Sequence, residues 1–209
     1  MKFSVIMPSY IADYRGSASN KEGKIVRAID SVLCQTFEDF ELIVVADGCE
    51  KTVEIVRNIT DKRIRLFYIE KQTMWSGLVR NTGLEMADGE WMVYLDIDDM
   101  FGEDHLQIIN DQIQEEDWLW FNDRSWDNGQ QQFNEHHCGL KKGHCGTSNI
   151  AHKRGLAGWG MKGNYLHDWV FILRLMQASQ NYKRIETPEY LVCHCPHILD
   201  YDGDSKKMS

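Results

Sequence analysis

The chain has 209 residues and a formal net charge of −9. Its content of 43% hydrophobic and 26% charged residues is typical of a folded globular protein, and its length suits one α/β domain with a buried core. The acidic balance disfavours a protein whose main task is to bind nucleic acid, because contacts to phosphates need clustered Lys and Arg.

The first half of the chain alternates regularly between strands and helices. Short apolar runs are typical of buried parallel strands, and they predict strands at residues 3–7, 41–46, 64–69 and 91–95. Apolar residues at helical spacing predict helices at residues 25–33, 53–59 and 78–87, whereas the polar stretch 13–24 predicts a loop. This order predicts a mostly parallel, doubly wound central sheet with helices on both faces.

The second half of the chain has a weaker pattern. We predict a helix at residues 105–113, a strand at 118–122, a helix at 165–176 and a short strand at 189–193. Residues 130–146 are polar and rich in His and Cys, and we predict that they are irregular. Nothing in the composition marks a linker, so we assign both halves to one domain.

Polar side chains follow three of the predicted strands directly. Pro8 and Tyr10 follow the first strand, Asp47 follows the second, and Asp96 and Asp98 follow the fourth. Ligands of doubly wound sheets bind beyond the carboxyl ends of the strands. We therefore expect these residues to gather along one edge of the sheet.

The acidic cluster at residues 96–99 is the first candidate for chemistry. Alternation along an extended segment places Asp96 and Asp98 on one side of the chain. Mg²⁺ and Mn²⁺ prefer such carboxylate oxygens, and an acidic protein needs a local cation to hold an anionic ligand. The alternative is an acidic turn that caps the following helix.

The expected location rests on two features of the sequence. No apolar stretch is long enough to span a bilayer, and residues 1–10 lack the basic region and cleavage site of a signal peptide. We therefore expect a cytoplasmic protein, with attachment to the inner face of a membrane through partners left open. In that compartment the six cysteines are expected to be reduced thiols: Cys34, Cys49, Cys138, Cys145, Cys193 and Cys195.

Five segments resemble, in the family's order, the family 2 glycosyltransferases. They are SVIMPSY at residues 4–10, AIDSVLCQTF at 28–37, FELIVVADG at 40–48, RNTGLE at 80–85 and GEWMVYLDIDD at 89–99. Fainter similarity continues at residues 146–149 and 167–169, and at Arg174. The blocks cover nearly all of the first half, and their combination is specific.

This resemblance implies the GT-A fold, a Rossmann-like arrangement in which a mostly parallel central sheet is flanked by helices. It implies a single domain over residues 1–209, with residues 1–99 binding a nucleotide-sugar donor and residues 100–209 facing the acceptor. The implied activity is metal-assisted transfer of one sugar from a nucleoside diphosphate sugar, with UDP favoured, to a saccharide or glycoconjugate hydroxyl with inversion. The chain lacks the Gln-x-x-Arg-Trp motif of processive synthases, which favours single-sugar addition.

The resemblance assigns five residues to the donor nucleotide, and one of them, Asp96, also supports the metal. Pro8 and Tyr10 match positions that hold the base and ribose, and Asp47 matches the carboxylate that accepts the imide N–H of uracil. Arg80 matches a position near the nucleotide. The alternatives are a strand end at Pro8, rim packing at Tyr10, a simple turn at Asp47 and a surface ion pair at Arg80. Ala46 departs from the family, which usually has a second Asp there.

The metal and the base are assigned in the same way. Asp98 matches the direct ligand of Mn²⁺ or Mg²⁺, with Asp96 supporting it, and His197 (or His194) is placed to be a third ligand. Asp168 matches the general base that deprotonates the acceptor, although it could instead cap the following helix. His167 departs from the Glu that commonly precedes this base.

Aromatic and His/Cys residues leave further possibilities open. Trp159 lies between glycines in a predicted loop, so we predict that it contacts the acceptor, whereas Trp118 and Trp120 in a predicted strand suit core packing equally well. The segments 136–138, 144–145 and 193–197 could combine into a zinc site. Their spacing matches no standard zinc finger, and such a site requires them to meet in space.

Two rival functions remain at this point. A sugar nucleotidyltransferase would need a Gly-rich, basic phosphate loop soon after the first strand, and Pro8-Ser9-Tyr10 is not one. A catalytically silent module that binds a nucleotide or sugar is the other alternative. The intact carboxylates Asp96, Asp98 and Asp168 argue against silence. The oligomeric state is left open.

Overall fold

The computed structural model describes residues 1–13, 20–72, 76–127, 129–160 and 167–193. Its strands are β1 (Phe3–Ser9), β2 (Phe40–Asp47), β3 (Ile64–Ile69), β4 (Trp91–Tyr94), β5 (Met100–Phe101), β6 (Trp118–Asp127), β7 (Gln132–His136), β8 (Ile150–Lys153) and β9 (Tyr182–Val192). Its helices are α1 (Lys21–Leu33), α2 (Glu50–Arg57), α3 (Gly77–Met86), α4 (His105–Gln112) and α5 (His167–Ala178), with a 3₁₀ turn at Thr147–Asn149. None of these described helices is both long and apolar enough to cross a bilayer.

The strands form one sheet in the order β3-β2-β1-β4-β8-β6-β9-β5, with β7 paired to β6. The predicted parallel arrangement is confirmed for the first half, where β1 pairs with β2 and β4, and β2 pairs with β3, all in parallel. The second half is mixed. There β8 runs antiparallel to β4 and β6, while β6 and β9 are parallel.

The core lies on both faces of this sheet. Every residue of β1 and β2 is buried, as expected of parallel strands that helices cover on both sides. Along β1, Val5 packs in the cluster that contains Ile29 of α1, and Ile6 packs in the cluster that contains Val79 of α3. A Cβ on Gly83 would lie 2.5 Å from Ile6 Cγ2, so glycine at this position permits the close approach of α3 to β1.

Two sequence predictions about irregular segments are wrong. Helix α1 begins at Lys21 inside the predicted loop 13–24, because Asn20 caps it by accepting a hydrogen bond from Gly23 N at 3.3 Å. The predicted irregular segment 130–146 contains β7, which pairs in antiparallel register with β6. A polar edge strand has no hydrophobic alternation to reveal it.

Other boundaries shift without changing the architecture. Strands β6 and β9 are longer than predicted, and the short strands β5 and β8 were not predicted. Helix α5 covers the predicted helix at residues 165–176 from His167 onward, and residues 165 and 166 lie outside the described residues.

A buried carboxylate anchors β2 to the turn before β4. Glu41 accepts hydrogen bonds from Ser4 Oγ at 2.5 Å, Arg65 Nη1 at 2.6 Å and Asp88 N at 2.7 Å. Burial by itself raises the pKa of Glu41, but the hydrogen bonds from Ser4, Arg65 and Asp88 outweigh it, so the pKa is lowered from its ordinary value. The ionised form of Glu41 therefore stabilises the fold.

Glu41→Gln is expected to lower the free energy of unfolding at neutral pH by about 1–3 kcal/mol, because it leaves charged and polar partners unsatisfied. Urea denaturation measures this difference. Since the pKa of Glu41 is lowered in the folded state, its contribution is present above the unfolded pKa and is lost as pH falls through the folded pKa. The difference between parent and variant should therefore shrink on acidification.

The matched control is Glu90→Gln, which removes the negative charge of Glu90, the exposed ion-pair partner of Lys2. An exposed ion pair of this kind contributes little, so this variant is expected to stay within about 0.5 kcal/mol of the parent. Equal losses in the two variants would contradict the anchoring role of Glu41.

Candidate active site

A cavity of about 900 Å³ opens beyond the carboxyl ends of β1, β2 and β4. This is the edge at which ligands of such sheets bind. The structure brings seven of the predicted site residues to its wall: Pro8, Tyr10, Asp47, Arg80, Asp96, Asp98 and Asp168. Residues far apart in the chain thus share one chamber whose volume suits a small-molecule ligand.

One end of the cavity is built around the buried carboxylate of Asp47. Its Oδ2 accepts a hydrogen bond from Lys71 Nζ at 2.5 Å, and its Oδ1 accepts one from Gln72 N at 2.6 Å. The ammonium of Lys71 also lies 4.3 Å from the centroid of the Tyr10 ring. Asp47 is therefore a charged, hydrogen-bonded group of the cavity wall as well as a turn residue.

The turn after β2 explains how Lys71 reaches this position. Gly48 has a φ of +64°, and a Cβ there would lie 2.6 Å from Lys71 Cβ. Only glycine lets the two backbone segments approach so closely in this conformation. Sequence reasoning missed Lys71. The signal for it was present, because Lys71 follows a third parallel strand, β3, at the same edge of the sheet.

A buried guanidinium holds one carboxylate of the acidic cluster. The side chain of Arg80 is 3% exposed, and its Nη2 donates to Asp96 Oδ1 at 2.5 Å. Its Nη1 donates to Ser76 Oγ, and its Cζ lies 4.9 Å from the centroid of the Trp159 ring. The alternative of a surface ion pair at Arg80 is therefore wrong.

One carboxylate of the acidic cluster is held by the protein itself, although it also borders the cavity. Asp99 is buried, and its carboxylate accepts hydrogen bonds from Tyr190 OH at 2.8 Å and Cys193 N at 2.7 Å. The cluster does not cap the next helix, because Asp104 occupies the N-cap position of α4. The capping alternative is thus wrong, and Asp99 has a structural role.

The remaining carboxylates suit a divalent cation. Asp96 and Asp98 both line the cavity and offer hard oxygen ligands of the kind that Mg²⁺ and Mn²⁺ prefer. The donor set therefore fits the predicted ion. The further ligand predicted at His197 or His194 lies outside the described residues.

Asp168 lies in the first turn of α5 and lines the cavity, with its side chain 35% exposed. Its Oδ1 accepts a hydrogen bond from Thr147 Oγ1 and lies 3.1 Å from His167 Nδ1. Burial lowers the pKa of His167, Asp168 opposes this shift, and Arg80 adds to it. Since α5 begins at His167, Asp168 lies inside the helix and is not its N-cap. The alternative role of Asp168 as a helix cap is therefore wrong.

Thr147 is a site residue that sequence reasoning did not single out. It belongs to the 3₁₀ turn Thr147–Asn149, which enters β8. The only available signal was the faint family similarity of residues 146–149, which assigns no role to the hydroxyl. Its hydrogen bond to Asp168 fixes the orientation of that carboxylate.

The structure places Trp159 in the core and not on the wall of the cavity. Its ring stacks on Phe171 with centroids 4.1 Å apart and contacts Tyr94 edge to face, and the residue is 2% exposed. The predicted acceptor contact of Trp159 is therefore replaced by a packing role. Trp169 lines the cavity next to Asp168, so it is the better candidate for a sugar-stacking surface.

The two tryptophans are expected to respond differently to truncation. Trp159→Ala should lower the free energy of unfolding by about 3–5 kcal/mol, because it empties a buried aromatic site. Trp169→Ala should cost clearly less, about 1 kcal/mol, since that side chain is only partly buried. Urea denaturation compares the variants, and equal losses would contradict the assignment of Trp159 to the core.

Comparison with known proteins gives a family match over most of the chain. The glycosyl transferase family 2 model matches residues 4–174. The chain is 30% identical over 115 residues to glycosyltransferase GlyA of Streptococcus pneumoniae, which covers 54% of this chain and 15% of GlyA. It is 32% identical over 111 residues to the poly(ribitol-phosphate) beta-N-acetylglucosaminyltransferase TarS of Staphylococcus aureus, which covers 51% of this chain and 18% of TarS. The matches thus span less than a fifth of either relative.

Solved structures share the fold. TarS residues 1–349 in complex with UDP-GlcNAc match with a TM-score of 0.73 and 20% identity, covering 92% of this chain and 58% of that one. The mannosyltransferase PcManGT from Pyrobaculum calidifontis, in complex with GDP-Man and Mn²⁺, matches with a TM-score of 0.63 and 17% identity, covering 92% and 56%. At these identities the likeness shows the GT-A fold alone, as the sequence predicted.

Proposed function

Because the chain belongs to glycosyl transferase family 2, we propose that it transfers a single sugar from a nucleoside diphosphate sugar to a hydroxyl of a saccharide or glycoconjugate. The observation that carries this proposal is the shared cavity of about 900 Å³, whose wall includes Asp47, the Asp96/Asp98 pair and Asp168. Glycosyl transfer needs a donor site and a base in one chamber. We favour UDP because the TarS structure holds UDP-GlcNAc.

The nucleobase is proposed to bind where Pro8, Tyr10 and Asp47 meet. A carboxylate offers about four lone-pair sites, so Asp47 can accept a uracil N–H while keeping its bonds to Lys71 and Gln72. The Tyr10 ring provides a stacking face. Since Lys71 lies over that ring, the base either uses the opposite face or displaces the ammonium.

The diphosphate is proposed to lie beside Asp96 and Asp98. These carboxylates would hold Mn²⁺ or Mg²⁺, with His197 or His194 as a proposed further ligand, and the bound ion would supply Lewis-acid stabilisation of the departing diphosphate. Arg80 holds one oxygen of Asp96. Its contribution is to orient the Asp96 carboxylate toward the cavity.

The acceptor is proposed to bind beside Asp168 and Trp169. Asp168 takes the proton of the acceptor hydroxyl as that oxygen forms a bond to the anomeric carbon, and the bond from that carbon to the diphosphate oxygen breaks. Attack opposite to the departing group inverts the anomeric centre. Thr147 donates to Asp168 and so keeps the carboxylate aimed at the acceptor. In this proposal residues 1–99 bind the donor, and residues 100–209 face the acceptor.

Nucleotide binding is expected to stabilise the chain selectively. UDP with Mn²⁺ at about 100 times its Kd should add about 2.7 kcal/mol, which raises the melting temperature of a chain of this size by about 5–10 °C. Thermal shift measures the response to UDP and GDP with and without Mn²⁺. Asp98→Ala should lose most of the UDP–Mn²⁺ response, while Asp111→Ala, which changes an exposed carboxylate on α4, should keep it.

An equal response to every nucleotide, or no effect of Mn²⁺ on the UDP response, would contradict the proposed donor site. So would a full response in Asp98→Ala.

The base is tested through slow hydrolysis of the donor, in which water replaces the acceptor. Asp168→Asn keeps the size of the side chain but removes its basicity, so UDP release from a panel of UDP-sugars should fall by about 10²- to 10⁴-fold. Its thermal shift with UDP and Mn²⁺ should match that of the parent. Asp111→Asn serves as the control. Unchanged hydrolysis in Asp168→Asn would refute the proposed base, and no hydrolysis in the parent chain would favour a silent module.

A further inference from the structure

A second group of side chains that could ligate a metal contains neither Asp96 nor Asp98. Asp123 in β6 stands directly opposite His136 in β7 in the strand register. Cys138 follows two residues later, and its thiol is buried. The ligand atoms of these three residues all lie within 4.8 Å of one another.

The distances within this group match tetrahedral coordination. His136 Nδ1 lies 3.2 Å from Asp123 Oδ2, and Cys138 Sγ lies 3.4 Å from the same oxygen. The distance between Cys138 Sγ and His136 Nδ1 is 3.6 Å. A tetrahedral zinc ion with ordinary bond lengths separates its S, N and O ligands by about 3.3–3.6 Å. The three atoms therefore lie close to the spacing expected for ligands of one ion.

The residue types and their surroundings select the metal. A thiolate beside an imidazole and a carboxylate suits Zn²⁺, whereas Mg²⁺ and Mn²⁺ are held mainly by oxygen ligands and are not selected by a thiolate. Asn149 Nδ2 donates to Asp123 Oδ2 at 3.0 Å, and Ser125 Oγ donates to Asp123 Oδ1 at 3.2 Å. Such outer hydrogen bonds orient a ligating carboxylate.

We propose that Asp123, His136 and Cys138 form a Zn²⁺ site whose fourth position faces the cavity and is left open by the residues that the structure describes. Asp123 and His136 both line that cavity, so water or a bound hydroxyl compound can take the open position. On binding, the Cys138 thiol releases its proton to solvent and the sulfur bonds to the ion. Zinc sites with three protein ligands and one open position are the kind that bind exchangeable ligands.

The site connects to the wall that carries Asp168. Asn149, which donates to Asp123, lies in the same 3₁₀ turn as Thr147, which donates to Asp168. An ion on Asp123 would therefore fix the turn that orients Asp168. The zinc site itself stands on the geometry of the β6–β7 hairpin and does not require the proposed transferase activity.

A hydrogen-bonded network without metal is the competing description, because the Cys138 thiol donates to Asp123.

The test is titration of Co²⁺ into the chelator-treated full chain, together with the zinc content of the purified protein. We expect a near-ultraviolet cobalt–thiolate charge-transfer band that saturates at one ion per chain, with tetrahedral d–d absorption. Cys138→Ser should abolish the band, and His136→Ala should weaken Co²⁺ binding by more than about tenfold.

Matched controls assign the band to this site. Cys34→Ser removes an exposed thiol elsewhere, and His137→Ala removes the neighbouring imidazole, whose side chain is 73% exposed; both should keep the band. Asp98→Ala should also keep it while losing the nucleotide response, which separates this site from the donor site. Circular dichroism confirms the fold of each variant.

No band in the folded parent chain, or an unchanged band in Cys138→Ser, would overturn the proposal. A band that Cys34→Ser removes would show adventitious binding and would also overturn it. If Cys138→Ser does not fold, His136→Ala decides the question, because that side chain is 51% exposed and its removal leaves the core intact. Unchanged Co²⁺ affinity in His136→Ala would then refute the site.

Discussion

The arrangement of the cavity depends on the buried guanidinium of Arg80. A buried charge is costly unless it is paired and hydrogen-bonded, and Arg80 obtains its partners from three parts of the chain: Ser76 before α3, Asp96 after β4 and the ring of Trp159. Trp159 in turn stacks on Phe171 of α5. One side chain therefore couples the acidic cluster to the helix that carries Asp168.

The first half of the fold was predictable because its signals are local. Parallel strands buried on both faces produce continuous apolar runs, and the residues that follow them must meet at one edge of the sheet. That rule predicts that Tyr10, Asp47 and Asp96 gather along one edge of the sheet, and all three line the cavity. The predicted beginning of α1 is wrong, because the polar residues before Ile25 favour a loop in the sequence pattern, whereas in the structure Asn20 caps a helix there.

The remaining features depend on pairings between distant residues. The register that sets Asp123 against His136 depends on a hairpin with polar strands, and periodicity alone does not reveal such a strand. The burial of Trp159 depends on Arg80, which lies far from it in sequence, and on Phe171 in the following helix. The position of Lys71 depends on a close backbone approach at Gly48. In each case local pattern supplied the residue type but not its neighbour.

The polar character of β7 also bears on association between chains. An exposed strand edge carries unpaired backbone groups that can recruit a strand from another molecule. In β7 the residues Gln132, Glu135 and His136 are exposed. A second chain that added to this edge would have to desolvate amide, carboxylate and imidazole groups, with Phe133 as the only apolar side chain of β7 to cover. The composition that hid this strand from pattern analysis therefore protects this edge of the sheet against aggregation.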